Sequence, residues 1–316
     1  MKRMWLSVAI AVMAVQGWAA PFSGKQVSTA ATWVVHADLE QLRQTQMGTF
    51  LVTQMGQGQA ADKIAAFSAV FGFDPRKDLK TITLYGKSKD QAQSVVLAGG
   101  TFNETQLVTL LKANDSYQTY TFGSHVLHSW IDDKKPAEGR QYGAFHPLGL
   151  VAISHGRDML QEALSVLDGS QPSLDIAKAF GTGVPTQAPF FMAGANVAGM
   201  GDANPNAAML KQADAGQLAF DEKGSNLVIN VIVATKDAQA ASNMQAAAQG
   251  MIAIAQLGQE RNPGMAELAQ AAHVTMEGKT VHLDVTYPVV KALAMIEQGM
   301  ARKAEQAARQ GGPQVQ

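Results

Sequence analysis

Short alternating runs separated by helical spacings make up the first half of the chain. Over 31–39 (ATWVVHADL), Trp33, Val35 and Ala37 fall on one face of an expected strand, and Val34, His36 and Asp38 on the other. The period then becomes helical. Leu42, Met47, Phe50 and Leu51 recur over 40–55, with Gly48 as an interruption, and Ile64, Phe67, Val70 and Phe71 form one stripe over 57–72. Gly72 followed by Asp74-Pro75 predicts a helix stop and a turn. Strands are expected over 79–85 and 94–98. A helix over 104–113 is capped by Asn103 and carries Leu107, Leu110 and Leu111 on its apolar face. Two alternating runs, 117–122 and 125–131, flank Gly123-Ser124 and predict a hairpin. Strands over 140–145 and 149–153 and a helix over 158–167 follow, ended by the Gly-Ser-Gln-Pro of 169–172.

The stretch 181–187 (GTGVPTQ) reads as a linker. Beyond it the pattern predicts a strand over 188–193, a helix over 206–213, and strands over 216–220 and 227–234. A long Ala/Gln/Met helix over 238–259 and a short one over 265–271 come next. A hairpin of 274–277 and 280–287 and a helix over 289–308 end in a polar GGPQVQ tail. Both halves thus run strand, helix, two strands, helix, hairpin, helix. Locally, YTFGSHV (120–126) matches TMEGKTV (275–281) only at its Gly and its last Val. Short strands joined by hairpins favour antiparallel sheet, because a doubly wound parallel sheet would show near-continuous Val/Ile runs. The expected fold class is α+β: two tandem modules, each an antiparallel meander or hairpin sheet packed by helices. The first module is placed at 20–182, the second at 183–310, and the tail at 311–316.

The opening MKRMWLSVAIAVMAVQGWAA departs from this pattern. Lys2 and Arg3 precede an apolar stretch from Trp5 to Val15, and Gly17 and Ala19 stand at −3 and −1 of a cut after Ala19. That is the layout of a signal peptide over 1–19. Its apolar stretch is shorter than the ~20 residues that cross hydrocarbon. The mature chain is therefore expected in the periplasm or the extracellular medium, with no membrane span.

Composition narrows the chemistry. Hydrophobic residues at 47% suffice for a core, and 25 Lys+Arg against 26 Asp+Glu leave a net charge of −1. A generally basic nucleic-acid-binding surface is not expected from that balance. Cysteine is absent, which removes disulfides, thiolate zinc sites, iron–sulfur clusters and Cys nucleophiles.

The pattern Trp33-Val34-Val35-His36-Ala37-Asp38-Leu39, followed by Gly72-Phe73-Asp74-Pro75-Arg76-Lys77-Asp78-Leu79 and a strand ending at Gly86, resembles a group of uncharacterised exported bacterial proteins, of the kind called domains of unknown function. The resemblance implies export and an α+β repeat. It implies no activity, and no functional residue comes with it.

His36 and Asp38 project from one face of the expected strand and can reach a common ion, with His125 or His128 as a third ligand. Equally, Asp38 can cap the following helix while His36 packs. His125 and His128 are three apart on a strand and so point to opposite faces. Gly86-Lys87-Ser88 lacks the earlier glycine of a phosphate loop, since Thr81 stands there. No Gly-x-Ser-x-Gly or His-Glu-x-x-His motif occurs. No catalytic, cofactor-binding or metal-ligating residue is assigned and no cofactor is expected. His36, Asp38 and His125 are the metal candidates. The expected function is an exported non-enzymatic binding or interaction protein with an unknown protein or small-molecule partner. The alternatives are a metal-assisted hydrolase centred on His36 and Asp38, and a carrier of an apolar ligand. The carrier requires a lined pocket between sheet and helices.

Overall fold

The computed structural model describes residues 22–310 apart from 133, 135, 196–210 and 260–261. The expected leader, the polar tail and most of the expected helix over 206–213 lie outside the described residues. Ala213, the last residue of that helix, instead opens a strand.

The protein is α+β, with all strand pairs antiparallel. Its first part runs β1 (Trp33–Asp38), α1 (Leu39–Arg43), α2 (Gln46–Met55), α3 (Gly58–Phe71), β2 (Leu79–Gly86), β3 (Ser94–Gly100) and α4 (Glu104–Lys112). It continues with β4 (Gln118–Phe122), β5 (His125–Ile131), β6 (Arg140–His146), β7 (Leu150–Ser154), α5 (Arg157–Leu167) and α6 (Ile176–Phe180). The second part comprises β8 (Phe190–Ala195), β9 (Ala213–Lys223), β10 (Asn226–Thr235), α7 (Ala238–Leu257), α8 (Pro263–Gln270), β11 (Ala272–Glu277), β12 (Thr280–Pro288) and α9 (Val289–Gln310). Among the described residues no helix is long and apolar enough to cross a membrane.

Among the described residues the strands form one twelve-stranded sheet in the order β11-β12-β10-β9-β8-β1-β2-β3-β7-β6-β5-β4. The two parts join edge to edge, with β1 pairing β2 on one side and β8 on the other. Each part begins as a meander of three strands, β1-β2-β3 and β8-β9-β10. Each then adds a hairpin whose second strand lies beside the third, as β3–β7 and β10–β12. The counterpart of β11–β12 is therefore β6–β7. The sequence match at Gly123 and Gly278 joins hairpins that occupy different places in the sheet.

The two faces are packed differently. On one, α5 buries Met159, Leu160, Ala163, Leu164 and Val166 against Val34, Tyr85, Leu97, Leu127 and Ala152, and Phe22, Val27, Leu174, Phe180 and Phe191 complete this core. Cross-strand partners share a face. The ladder Val35↔Met192, Met192↔Leu218, Leu218↔Val231 therefore follows the opposite face across the join. There α7 meets Val233 and Val281 through Ala241 and Met244, and α8 and α9 meet Val285 and Tyr287. Helices α3 and α4 lie on that same face, over the first part.

Local chemistry sets the helix ends. Asp38 caps α1, its carboxylate accepting from the Gln41 N–H at 2.8 Å. Asn103 caps α4 by accepting from the Gln106 N–H at 3.0 Å. Asn103→Ala is expected to cost about 1 kcal/mol, read by urea unfolding. The helical run over 40–55 breaks at Gln44 and Thr45 rather than at Gly48, because Thr45 caps α2 by accepting from the Gly48 N–H. Helix α6 was not expected from the sequence. It is capped by Asp175 and spans five residues, too few for a period to show.

Candidate functional site

Helices α3 and α4 share their face of the sheet with α7 to α9 but sit on it differently. Their apolar stripes, Phe67 and Phe71 in α3 and Leu107, Leu110 and Leu111 in α4, turn toward the strands. Yet no residue of either helix is fully buried, whereas α5 on the opposite face buries five. The space left beneath them is a cavity of ≈ 550 Å³. Its floor is Ala98 of β3, Val151 and Ile153 of β7, Phe145 of β6 and Trp130 of β5, and Phe73 and Phe102 close the side near the start of α4. Gly143 gives the Trp130 ring its place, since a Cβ there would lie 3.3 Å from the indole. Phe67 stacks on Phe71 at 4.3 Å, and Phe73 on Phe102 at 5.2 Å.

The polar part of the lining is small. His128 shares a hydrogen bond of 2.8 Å with the Tyr117 hydroxyl through Nδ1, and its ring meets the edge of Phe145. Burial holds its pKa below the ordinary imidazole value. At neutral pH the ring is therefore uncharged. Asn114 donates through Nδ2 to the Ile131 carbonyl at 3.0 Å. The cavity is thus an uncharged, largely aromatic and aliphatic space with a Tyr–His pair at its margin.

A second groove, ≈ 750 Å³, lies on the same face near the join, lined by Trp33, Val35, Met192, Leu218, Val231 and the 87–89 loop.

The metal candidates take separate places. His36 is 3% exposed, with Phe22 and Phe191 at ring distances of 5.3 and 5.7 Å. Its Nδ1 hydrogen-bonds Thr83 Oγ1 at 2.9 Å, its Nε2 has no partner, and burial pushes its pKa down to about 4. Asp38 is engaged as the α1 cap. His125 pairs instead with Asp168, Nε2 to Oδ2 at 2.8 Å, and His146 Nε2 lies 3.2 Å from Oδ1 of the same carboxylate. The two imidazoles stack with centroids 5.4 Å apart. The hydrogen bond to His125 is the main cause that holds the Asp168 carboxyl below its ordinary value. Among the described residues, His125, His146 and Asp168 form the group whose ligating atoms lie within 4.8 Å of one another. The grouping of His36 and Asp38 with a hairpin histidine, raised from the sequence as an alternative, does not assemble, whereas the other reading of Asp38 as a cap and His36 as a packed ring does.

His146 and Asp168 were missed in the sequence. Counting along the ladder from His128↔Gly143 puts His125 opposite His146. That register depends on the 132–139 connection, whose length alone does not fix it. Asp168 sits at the C-terminal end of α5, where it reads as an ordinary helix-ending residue before Gly169.

No protein-family model matches the chain, and no curated protein does. Among solved structures the chain is similar to TP0453. Crystal form III of that protein superposes with a TM-score of 0.50 at 9% identity, over 89% of this chain and 100% of that one. Crystal form I gives a TM-score of 0.48 at 9% identity, covering 89% of this chain and 99% of that one. The first of these establishes a likeness of fold and nothing beyond it.

Proposed function

We propose that this is a non-enzymatic binding protein that holds a small apolar molecule between the α3–α4 roof and the sheet. One observation carries the reading: two helices present aromatic and aliphatic stripes to the sheet, and ≈ 550 Å³ between them is left unfilled. Core packing normally closes such space, and voids larger than a water molecule are few in a domain. A cavity of this size is in the range that takes a small organic ligand. The lining selects an uncharged, hydrophobic or aromatic molecule, since a charged group would lose its hydration with no opposite charge to meet it. Tyr117 and His128 offer one polar contact at the margin. We further infer that the protein works outside the cytoplasm after loss of residues 1–19, a reading supported by the leader's charge and hydropathy pattern.

The test uses a neutral fluorescent probe, N-phenyl-1-naphthylamine, with tryptophan excitation in a Trp33→Phe background, where Trp130 is the one indole left in the mature chain. One probe per chain with a micromolar dissociation constant and energy transfer from the indole is expected. Leu111→Asp places a carboxylate under the roof and is expected to weaken binding by about tenfold or more, equivalent to about 1.4 kcal/mol. Circular dichroism checks that the variant folds. Absence of binding by the folded protein, or equal binding by folded Leu111→Asp, would refute the proposal.

A further inference from the structure

We propose that His125, His146 and Asp168 form a binding site for a divalent transition-metal ion of the zinc class. Three elements bring the donors together. His125 opens β5, His146 closes β6 opposite it, and Asp168 ends the helix α5 that packs over both strands. Both imidazoles present Nε2 to one carboxylate, from 2.8 and 3.2 Å. Metal–nitrogen and metal–oxygen bonds of about 2.0–2.1 Å at tetrahedral angles separate the ligand atoms by roughly 3.3 Å. The three donors therefore need only small movements to receive an ion. A single hydrogen-bonded His–Asp pair would require one imidazole here, and the structure supplies two.

Burial divides the site. The His125 and His146 side chains are 5% and 6% exposed, whereas Asp168 is 40% exposed. The rings are held by the surrounding protein and the carboxylate side opens to water, which leaves a fourth position for a solvent ligand. Two nitrogens and one carboxylate oxygen suit zinc and its neighbours. Calcium and magnesium prefer shells made of oxygen.

One contact limits the affinity. His146 Nδ1 accepts the Leu148 N–H at 3.2 Å, so in the neutral ring the proton sits on Nε2. An arriving ion needs the other neutral tautomer, with the proton moved to Nδ1, and that change breaks the Leu148 contact. In strong sites the other ring nitrogen instead donates to an acceptor. Micromolar rather than nanomolar affinity follows. The site lies on the sheet face opposite the apolar cavity, because His128, which lines that cavity, is three residues from His125 along β5. It is therefore independent of the ligand reading. A bound ion would tie the β5–β6 hairpin to the end of α5.

The experiment is calorimetric titration of the chelator-treated mature chain with zinc chloride, paired with a thermal shift. One equivalent at micromolar affinity and a rise in Tm with zinc, by mass action, are expected. Magnesium chloride should give neither. His125→Gln and Asp168→Asn are each expected to weaken zinc binding by about tenfold or more. The partly buried His155, whose Nδ1 bonds the Glu138 carbonyl at 3.1 Å and not the cluster, serves as a control, and His155→Gln should bind like the parent. Asp168→Asn keeps an oxygen acceptor at a half-exposed position, so the test survives if a histidine variant fails to fold. No heat and no Tm change at roughly 100 µM zinc, or undiminished binding by folded Asp168→Asn, would overturn the proposal.

Discussion

Gly48→Ala is expected to lower the unfolding free energy by about 3 kcal/mol, the upper part of the range for added atoms in a packed site. A Cβ at this position would stand 1.8 Å from the Leu42 carbonyl oxygen and 2.5 Å from its carbon. Both are backbone atoms, so no rotamer change relieves the clash, and α1 and α2 must move apart. The movement would also disturb what fixes the start of α2: the cap of Thr45 on the Gly48 N–H, and the Gln46 and Met47 N–H groups that donate to the Glu222 carboxylate at 3.0 and 3.1 Å. Those two bonds tie the first part of the chain to β9. Propensity alone predicts the opposite sign, since alanine exceeds glycine by about 1 kcal/mol inside a helix. Gly250 in α7, whose Cβ position is open, supplies the control, and Gly250→Ala should stabilise by up to about 1 kcal/mol. Urea unfolding of both variants reads the contrast. A neutral or stabilising Gly48→Ala would mean that the α1–α2 corner is not held closely.

Gly48 also shows how far sequence reading reached. As an interruption of a helical pattern it was visible, but its purpose was not. The break belongs to Thr45, and the glycine is there because another backbone passes close by. The same division recurs elsewhere. The β4–β5 hairpin, the stripe of α4 and the caps Asp38 and Asn103 all rest on neighbouring residues, and their period or their oxygen atoms announced them. The α+β class followed from short alternating strands. That the sheet runs unbroken through β1 and β8 was hidden, because pairing between strands so far apart in sequence leaves no local trace. His125 was singled out for its chemistry, but its partners are set by strand register and by where α5 ends. The apolar cavity was legible only as a requirement of the carrier reading. Phe67, Phe71, Leu107 and Leu111 have the same spacing whether a helix sits on its sheet or stands away from it, so the unfilled space exists only in three dimensions.

Acidification is expected to cost the native protein about 3 kcal/mol through His36 alone. Burial against Phe22 and Phe191 lowers its pKa from 6.5 to about 4. Above pH 6.5 the ring is neutral in both folded and unfolded chains and contributes no slope. Between pH 6.5 and about 4 the unfolded chain binds a proton that the native chain refuses. Stability therefore falls as pH drops, by about 1.4 kcal/mol for each pH unit in the window. Below about pH 4 the native ring is protonated too and the loss levels off. The contact with Thr83 does not rescue the cation, because Nε2 has no acceptor to receive its hydrogen. Asp38, the acid two residues along on the same strand face, is occupied at the head of α1. His36→Leu keeps the site apolar and removes the titrating group. It leaves the Thr83 hydroxyl without its imidazole partner but also removes an unpaired buried nitrogen, so at pH 7.5 its stability should lie within about 1 kcal/mol of the parent. By pH 4.5 the variant should be the more stable by about 2–3 kcal/mol. The carboxylates titrate alike in both proteins and cancel in the difference, which makes the gap between the two urea-unfolding curves the measured quantity. Curves that stay parallel from pH 7.5 to 4.5 would show that water or a rearranged neighbour reaches Nε2, and that the ring is not sealed in the core.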